Sequence, residues 1–446
     1  MRANRLKSVV VNKLSLVSVL AVLLVFLLPY ERIPSTDIYG ATIRLSQLAA
    51  LALIFASLPY LVRKARILLA PQYALLGVFI FAYLLSALVA SDLSAALKIF
   101  TFTAFVATTA VAISVIPDRK VQFLGYEKAL AVTSAIVLII GFYQYFGDVF
   151  GLSYQITGLR EAYTKSVFGF PRIQSTALEP LFLASFLLIP LSVFAAQHIR
   201  ENKKLLSWRT LFIIILACSI FLTVSRGAII GLACSTVFMA FLTARKSWRG
   251  LLKYIALLAV AGLLAFSLTA IENPFQQRVI VGEKGPQKQQ RLIQQTTNLD
   301  SQSDRSRNRN FAIDAFKSSP VFGIGPGNFD DYAKDRFPEY RTMGNPAIVV
   351  NNLPLEILAE SGIVGFVSLV AFLGYLFFSL LKIVLRGSGY LSIWALGLSS
   401  YLVATAVQYQ TFSTFYVMHI WVVIGLIMAL NSKTVEGMES KVRKED

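Results

Sequence analysis

The sequence predicts an all-α polytopic membrane protein with about 12 transmembrane helices and one large extracytoplasmic loop containing short helices. Three observations predict it. The chain is 56% hydrophobic and only 15% charged, with mean hydropathy +0.64, too apolar for a soluble chain to cover its own surface. Twelve apolar stretches run along it, interrupted once by a polar loop over residues 272–354. Lys and Arg gather in alternate connections between those stretches.

A helix needs roughly 20 apolar residues to cross about 30 Å of hydrocarbon. The first stretch lies near 9–29. It has a basic flank but is followed by Pro29, Tyr30 and Glu31 rather than a small-residue cleavage site, so it reads as a retained anchor. Stretches two to six lie near 41–62, 69–90, 95–116, 125–146 and 178–196. The seventh and eighth, near 210–224 and 226–244, meet tightly at Ser225 and Arg226. The ninth lies near 251–271, and the last three near 361–385, 389–408 and 415–431. The organisation is therefore 1–271 with nine spans, 272–354 as the loop, 355–431 with three spans and 432–446 as a cytoplasmic tail.

Orientation follows from the basic residues. With Arg2, Arg5 and Lys7 in the cytoplasm, the inside connections carry Arg63, Lys64 and Arg66; Arg119 and Lys120; Arg200, Lys203, Lys204 and Arg209; Arg245, Lys246 and Arg249; and Lys382 and Arg386. The tail adds Lys433, Lys441, Arg443 and Lys444. The large loop then falls outside, as does the segment from Gly147 to Gln174. The net charge of +18 is mostly this topology, with basic loops facing anionic membrane lipids. Basic residues scattered between spans argue against a nucleic-acid partner. Cys218 and Cys234 lie inside spans, which gives neither a disulfide framework nor a metal spacing. No repeat or low-complexity tract is visible.

Arginines placed against that trend are informative. Arg226 sits in the outer turn Ser225-Arg226-Gly227-Ala228, where a charge near the membrane is costly unless it faces a cavity or a partner. It reads either as an interfacial side chain reaching headgroups or as an anion ligand, since a guanidinium grips phosphate bidentately. Arg172 is the second exception and precedes Thr176-Ala177-Leu178-Glu179-Pro180 at the outer mouth of span six. Thr176 and Glu179 have capping-box spacing, so Glu179 reads as a helix cap or as a carboxylate able to orient or deprotonate a sugar hydroxyl.

The loop mixes charge signs. Its first part, through about Ser303, is rich in Gln, Thr, Asn and Ser and reads as flexible. Asp304 to Ser319 has helical patterning, with Phe311, Ala312, Ala315 and Phe316 on one side and Arg305 and Arg309 spaced i, i+4. Those arginines and Arg307 read first as a solvated face. Gly323, Gly325 and Gly327 fall within Gly323-Ile324-Gly325-Pro326-Gly327-Asn328-Phe329. Lacking a following Lys-Ser/Thr, this is a tight turn docking the loop on the membrane domain rather than a phosphate cradle. The loop returns through Asn351, Asn352 and an amphipathic helix start carrying Glu356 and Glu360 on one face. These carboxylates are either solvated or partners for the outside arginines.

Taken together, Arg172…Glu179-Pro180, Ser225-Arg226-Gly227-Ala228, Arg307…Pro320…Gly323-Ile324-Gly325-Pro326-Gly327-Asn328-Phe329 and Asn351-Asn352…Leu355-Glu356…Ala359-Glu360-Ser361-Gly362…Gly365 resemble the O-antigen ligase / O-antigen polysaccharide polymerase superfamily of bacterial envelope enzymes. The likeness covers roughly residues 165–370, and the remainder follows by topology. It implies a membrane glycosyltransferase in O-antigen or exopolysaccharide assembly, at the outer leaflet of the bacterial inner membrane. The implied donor is an undecaprenyl-diphosphate-linked oligosaccharide, with no cofactor or metal. Arg172, Arg226 and Arg307 would bind the diphosphate; Glu179, ahead of Glu356, would be the catalytic carboxylate; Gly323, Gly325, Gly327, Asn351 and Asn352 would shape the loop. Implied partners are the lipid-linked glycan, membrane lipids, a flippase and a chain-length regulator.

One departure bears on the activity. Ligases of this superfamily carry a His-Asn pair, with the histidine as proposed base, where this chain has Asn351-Asn352. Asn offers only neutral hydrogen bonds. His198 lies in an inside connection and His419 in span twelve, where it reads as a core residue. The missing histidine favours a repeat-unit polymerase over a ligase. A transporter or flippase is the reading from another class, but no corresponding halves are visible. A noncatalytic assembly partner is the other.

Overall fold

A computed structural model of the chain describes residues 16–32, 35–38, 41–63, 68–116, 119–202, 207–271, 299–336 and 348–445. The helices are α1 (Leu16–Leu27), α2 (Leu45–Arg63), α3 (Pro71–Leu88), α4 (Leu93–Ser114), α5 (Arg119–Val149), the short α6 (Tyr154–Thr157) and α7 (Lys165–Phe168), α8 (Pro180–Glu201), α9 (Trp208–Leu222), α10 (Arg226–Thr269), α11 (Leu299–Ser318), α12 (Phe329–Arg336), α13 (Leu353–Arg386), α14 (Tyr390–Gln408) and α15 (Met418–Glu445). Among the described residues, eight helices are long and apolar enough to cross a membrane, and three more apolar helices are shorter: Leu16–Leu27, Trp208–Leu222 and Met418–Asn431.

Among the described residues, which leave out 9–15 of the first stretch, the expected stretches coincide with helical backbone, except that 41–44 is strand and the tenth starts early. Stretches eight and nine are two helices within α10, separated at Ser247 (φ −143°, ψ 33°), beside the basic residues Arg245, Lys246 and Arg249. The tenth begins earlier than its apolar run, at Leu353, and is broken at Gly362 (φ 62°, ψ −167°). The fold also contains one antiparallel hairpin, β1 (Ser35–Ile38) with β2 (Ala41–Arg44), paired Ser35↔Arg44 to Ile38↔Ala41. Four residues alternate on each strand of a connection too short to return as a helix.

The bundle is built around α8, which is apolar on every side and therefore buried on every side. It packs on α9, α10 and α14; α13 packs on α3 and α14, and α15 on α4. Glycine lets backbones approach where α10 crosses α14: a Cβ at Gly231 would strike the Ala404 carbonyl oxygen. The end opposite the loop is tied by one carboxylate. Glu127 on α5 accepts from Gln197 Nε2 (2.7 Å), Tyr390 Oη (2.7 Å) and Arg209 (3.2 Å), joining α5, α8, α14 and α9.

The polar loop lies partly within the description. Residues 272–298 and 337–347, with Arg278, Lys284, Lys288, Arg291 and Arg341, fall outside it, as do Arg2, Arg5, Lys7, Lys64, Arg66, Lys203 and Lys204. The helical part, α11, starts at Leu299, five residues before the patterned run from Asp304, so Leu299–Ser303 is helix rather than flexible chain. Phe311, Ala312 and Ala315 of α11 form a second small core with Phe329, Ala333, Val350 and Ala359.

Candidate functional site

The loop end of the bundle is assembled from four segments: the approach to α8, the α9–α10 turn, α11, and the connection after α14. Residues 171–179 reach α8 along the end of α5. Gln144 clamps Ser175 there, accepting its N–H (2.7 Å) and donating to its carbonyl (3.2 Å), and this holds Ser175 at φ +55°. Ile173 N–H donates to the Leu222 carbonyl, and Arg172 Nε donates to the Thr223 carbonyl (2.9 Å). Arg172 thus caps the C-terminus of α9, where a cation is favoured. Its guanidinium lies over the Tyr163 ring at 5.5 Å from the centroid.

The α9–α10 turn is strained. Val224 has φ +53°, a conformation that costs a β-branched residue of order 1–3 kcal/mol. It delivers Arg226 as the first residue of α10, exposed, at the end of the helix macrodipole that repels cations. With Ser175 and Val224, Asn351 (φ +54°) is a third non-glycine residue in left-handed conformation at this end. Strain of this kind collects at functional sites.

Cations converge here. Burial pulls the Arg172 guanidinium below its ordinary value; Tyr163 and Glu179 oppose this, and Arg226 adds to it. Burial also lowers Arg305, with Arg226 and Arg309 adding to the shift. Both stay protonated near neutrality, but each carries a cost that a bound anion would relieve. Arg309 donates to the Gln410 carbonyl (3.1 Å), which also accepts from Asn352 Nδ2 (3.2 Å). That carbonyl ties α11 and the start of α13 to the α14 end. Gly227 packs against Thr411 and Gln408 in the same turn, so Arg226 stands beside it.

Of the sequence candidates, Arg172 and Arg226 are therefore neighbours, and Glu179 is in electrostatic reach of Arg172 and Tyr163. Arg307 is half-buried on α11. Arg305 and Arg309, read from sequence as solvated, are half-buried instead and belong to this cluster. Their position seven and three residues before Ala312 is the signal that puts them on the packed side of α11.

Glu179 stands at the N-cap of α8 with extended backbone, but its side chain makes no capping hydrogen bond. Thr176 Oγ1, its expected capping partner, donates to the Pro29 carbonyl (2.8 Å) instead. The capping box is not formed. The α8 N-terminus takes its carboxylate from elsewhere: Glu31 Oε2 accepts the Leu178 N–H (3.3 Å). Glu31 was invisible as a site residue in sequence. It is 7% exposed, and burial pushes its carboxyl up to about 7, with Arg44 and the Leu178 N–H opposing. Its Oε1 lies 3.8 Å from His419 Nδ1, and His419 Nε2 pairs with Ser185 Oγ (3.0 Å). His419 is thus buried inside the bundle, as a core residue would be.

Glu356 and Glu360 share the start of α13 but differ in use. The Glu360 carboxylate accepts backbone N–H groups of Gly327 and Phe329, capping α12. Glu356 is bonded to Ser413. The glycine turn docks on the helix break beside them. Ile324 and Gly325 N–H donate to the Ala359 and Glu360 carbonyls (3.0 and 2.9 Å), while Ile363 and Val364 N–H donate to the Pro320 and Val321 carbonyls (2.9 and 3.3 Å). A Cβ on Gly323 would strike the Glu360 backbone, and one on Gly362 the Val321 backbone. Asn328 fastens the turn to the α3–α4 connection, accepting the Asp92 N–H (2.7 Å). Asn352 caps α13 by accepting the Leu355 N–H (3.0 Å). Among the described residues, no group of three or more His, Cys, Asp or Glu is placed to hold a metal ion.

An apolar multi-span bundle with a cation-rich, polar end beneath a docked loop is the architecture of a polytopic membrane protein. Residues 211–370, which include Arg226, the α11 arginines, the glycine turn and the start of α13, match the O-antigen ligase family, and this match supports the likeness to the O-antigen ligase/polymerase superfamily. No match occurs among curated proteins. The family carries ligase- or polymerase-type glycan assembly in membranes, with a lipid-linked glycan as substrate.

Proposed function

We propose that this protein is a polymerase of undecaprenyl-diphosphate-linked oligosaccharide repeat units, acting at the outer leaflet of the bacterial inner membrane. One observation carries the reading: Arg172 and Arg305, each buried at electrostatic cost, share one end of the bundle with Arg226, beside Glu179, whose side chain makes no capping hydrogen bond. A diphosphate leaving group needs fixed positive charge in a water-poor site, which arginines supply without reorganising. Arg307 would add a ligand from the same helix. An acceptor-sugar hydroxyl attacks the anomeric carbon and forms the new glycosidic bond. The bond from that carbon to the phosphate oxygen breaks, and the lipid diphosphate departs onto the arginines. The hydroxyl proton passes to the Glu179 carboxylate, or to Glu356 if Glu179 only orients the sugar. The Asn351-Asn352 pair favours polymerase over ligase, because an amide cannot take that proton. A flippase would deliver the donor and a chain-length regulator would stop the product.

The test is purified protein with lipid-linked repeat units. Ladders of increasing length on the carrier are expected; transfer of a single glycan to a lipid A-core acceptor, without ladders, would make it a ligase. Orientation is tested separately. A Ser303→Cys thiol should react with an impermeant reagent in intact spheroplasts, and labelling only after lysis would reverse the topology.

A further inference from the structure

After α5 the chain does not leave the bundle as a polar loop would. It exposes Phe150 (55%), Leu152, Tyr154, Ile156 (63%) and Val167. Its depth is fixed by α5 itself. Leu152 N–H donates to the Gly147 carbonyl (2.8 Å), and Tyr143 Oη reaches the Ile156 carbonyl (3.5 Å). A Cβ at Gly147 would lie 2.7 Å from Thr157 Cγ2 and 3.4 Å from Leu152 Cδ1. The segment is therefore folded back level with the last two turns of α5. On α5, Val132, Ile139 and Tyr143 are exposed and continue to Phe150 at spacings of seven, four and seven, a single helical stripe. In a multi-pass protein that stripe meets acyl chains. Beyond Ile156 the surface turns polar, with Arg160 and Glu161 exposed. The fold-back is pinned by Lys165, whose Nζ donates to the Val149 carbonyl (3.0 Å) and whose N–H donates to Asp148 (2.8 Å).

We infer that residues 150–167 are an interfacial shelf that lies in the headgroup–acyl boundary of the leaflet on the loop side, bound to phospholipid rather than to protein. Continuity with the α5 stripe decides for lipid. So does the mixture of exposed apolar and aromatic side chains at Phe150, Leu152, Tyr154 and Ile156 followed by the charged Arg160 and Glu161, which is that of a membrane-surface segment. A consequence rests on the proposed function. Arg172 N–H donates to the Tyr163 carbonyl (2.9 Å), so the shelf sets the depth of the arginine cluster near lipid phosphates. A lipid diphosphate would then reach the site without leaving the interface.

The wild-type protein in vesicles of phosphatidylethanolamine and phosphatidylglycerol tests this. A phospholipid with a photoactivatable group near the glycerol should label 150–156 and leave Asn308–Asp314 of α11 unlabelled. In a background lacking Cys218 and Cys234, a polarity-sensitive dye on Ile156→Cys should lose emission to spin-labelled lipid and resist iodide, whereas the dye on Glu161→Cys should do the reverse. If that background does not fold, the photolabelling decides alone. Iodide quenching both dyes alike, absence of lipid adducts on 150–156, or disulfide-linked dimers of Ile156→Cys without lipid adducts would overturn the shelf. Absence of glycan ladders in the same vesicles, with lipid labelling intact, would remove the polymerase reading and leave the shelf standing.

Discussion

The two ends of this bundle treat buried charge in opposite ways. At the end opposite the loop, Glu127 collects an amide, a phenol and a guanidinium, and Arg209 also reaches Glu201 (3.7 Å). Charge is balanced there. At the loop end Arg226 and Arg309 add to the cost of burying Arg305, and Ser175, Val224 and Asn351 adopt left-handed backbone. Among the described residues, three of the four non-glycine residues in left-handed conformation sit at the loop end, with Asn202 at the opposite end, and the loop end is where arginines converge.

The contrast breaks most visibly at Glu179. Glu179→Gln keeps the shape and the N-cap position, and a proton acceptor typically contributes about 10²–10⁴-fold. Turnover of lipid-linked repeat units should fall by that order at normal protein level. Near-normal rates in this variant, with Glu356→Gln inactive, would move the base to α13. Next is Arg226. Arg226→Ala should lower transfer by about 10²–10³-fold, and Arg226→Lys should recover little because the bidentate fork is lost. Full activity of Arg226→Lys would mean that positive charge alone suffices and would reduce the site to bulk electrostatics.

At the opposite end the effects should appear in stability instead. Glu127→Leu leaves the Gln197 amide and the Tyr390 hydroxyl without their acceptor and Arg209 with Glu201 alone, and should cost about 1–3 kcal/mol, read by thermal unfolding in detergent, with specific activity of the surviving protein preserved. Lost activity at unchanged stability would erase the distinction between the two ends.

The smallest effect concerns Glu31. Its folded carboxyl is raised to about 7 from 4.5, so the folded state binds the proton more tightly than the unfolded state does. Its contribution is present below pH 4.5 and is lost as pH rises through 7. Glu31→Gln should remove that part of the decline. An unchanged difference between wild type and variant from pH 4.5 to 7 would mean that Glu31 is not buried as described.

Hydropathy made the spans legible because each helix must carry its own apolar length, and charge made Arg172 and Arg226 legible because they run against the topological trend. The glycine turn was legible because Gly323, Gly325 and Gly327 have no other use at that spacing. What escaped depends on contacts between distant segments. Thr176 abandons its local partner for Pro29, at a separation of 147 residues, and Glu31 takes over the α8 N-terminus across the same distance. The burial of Arg305 depends on where α11 docks, which a helical pattern with Phe311 and Ala312 only half specifies. The hairpin Ser35–Arg44 is too short for periodicity to show.

The exchange of backbone hydrogen bonds at Gly362 also has a bearing on time. The carbonyls of Ala359 and Glu360 and the amides of Ile363 and Val364 would pair with one another in an uninterrupted helix; here all four are satisfied by residues 320–325. Open donors and acceptors are expensive at a membrane boundary. During synthesis, α13 emerges after the loop, so its break becomes tolerable only once the turn has folded against it. The joint therefore makes maturation sequential: a chain whose loop is delayed would hold α13 as a straight helix, and the site beside Glu356 would form only on the correct order of events.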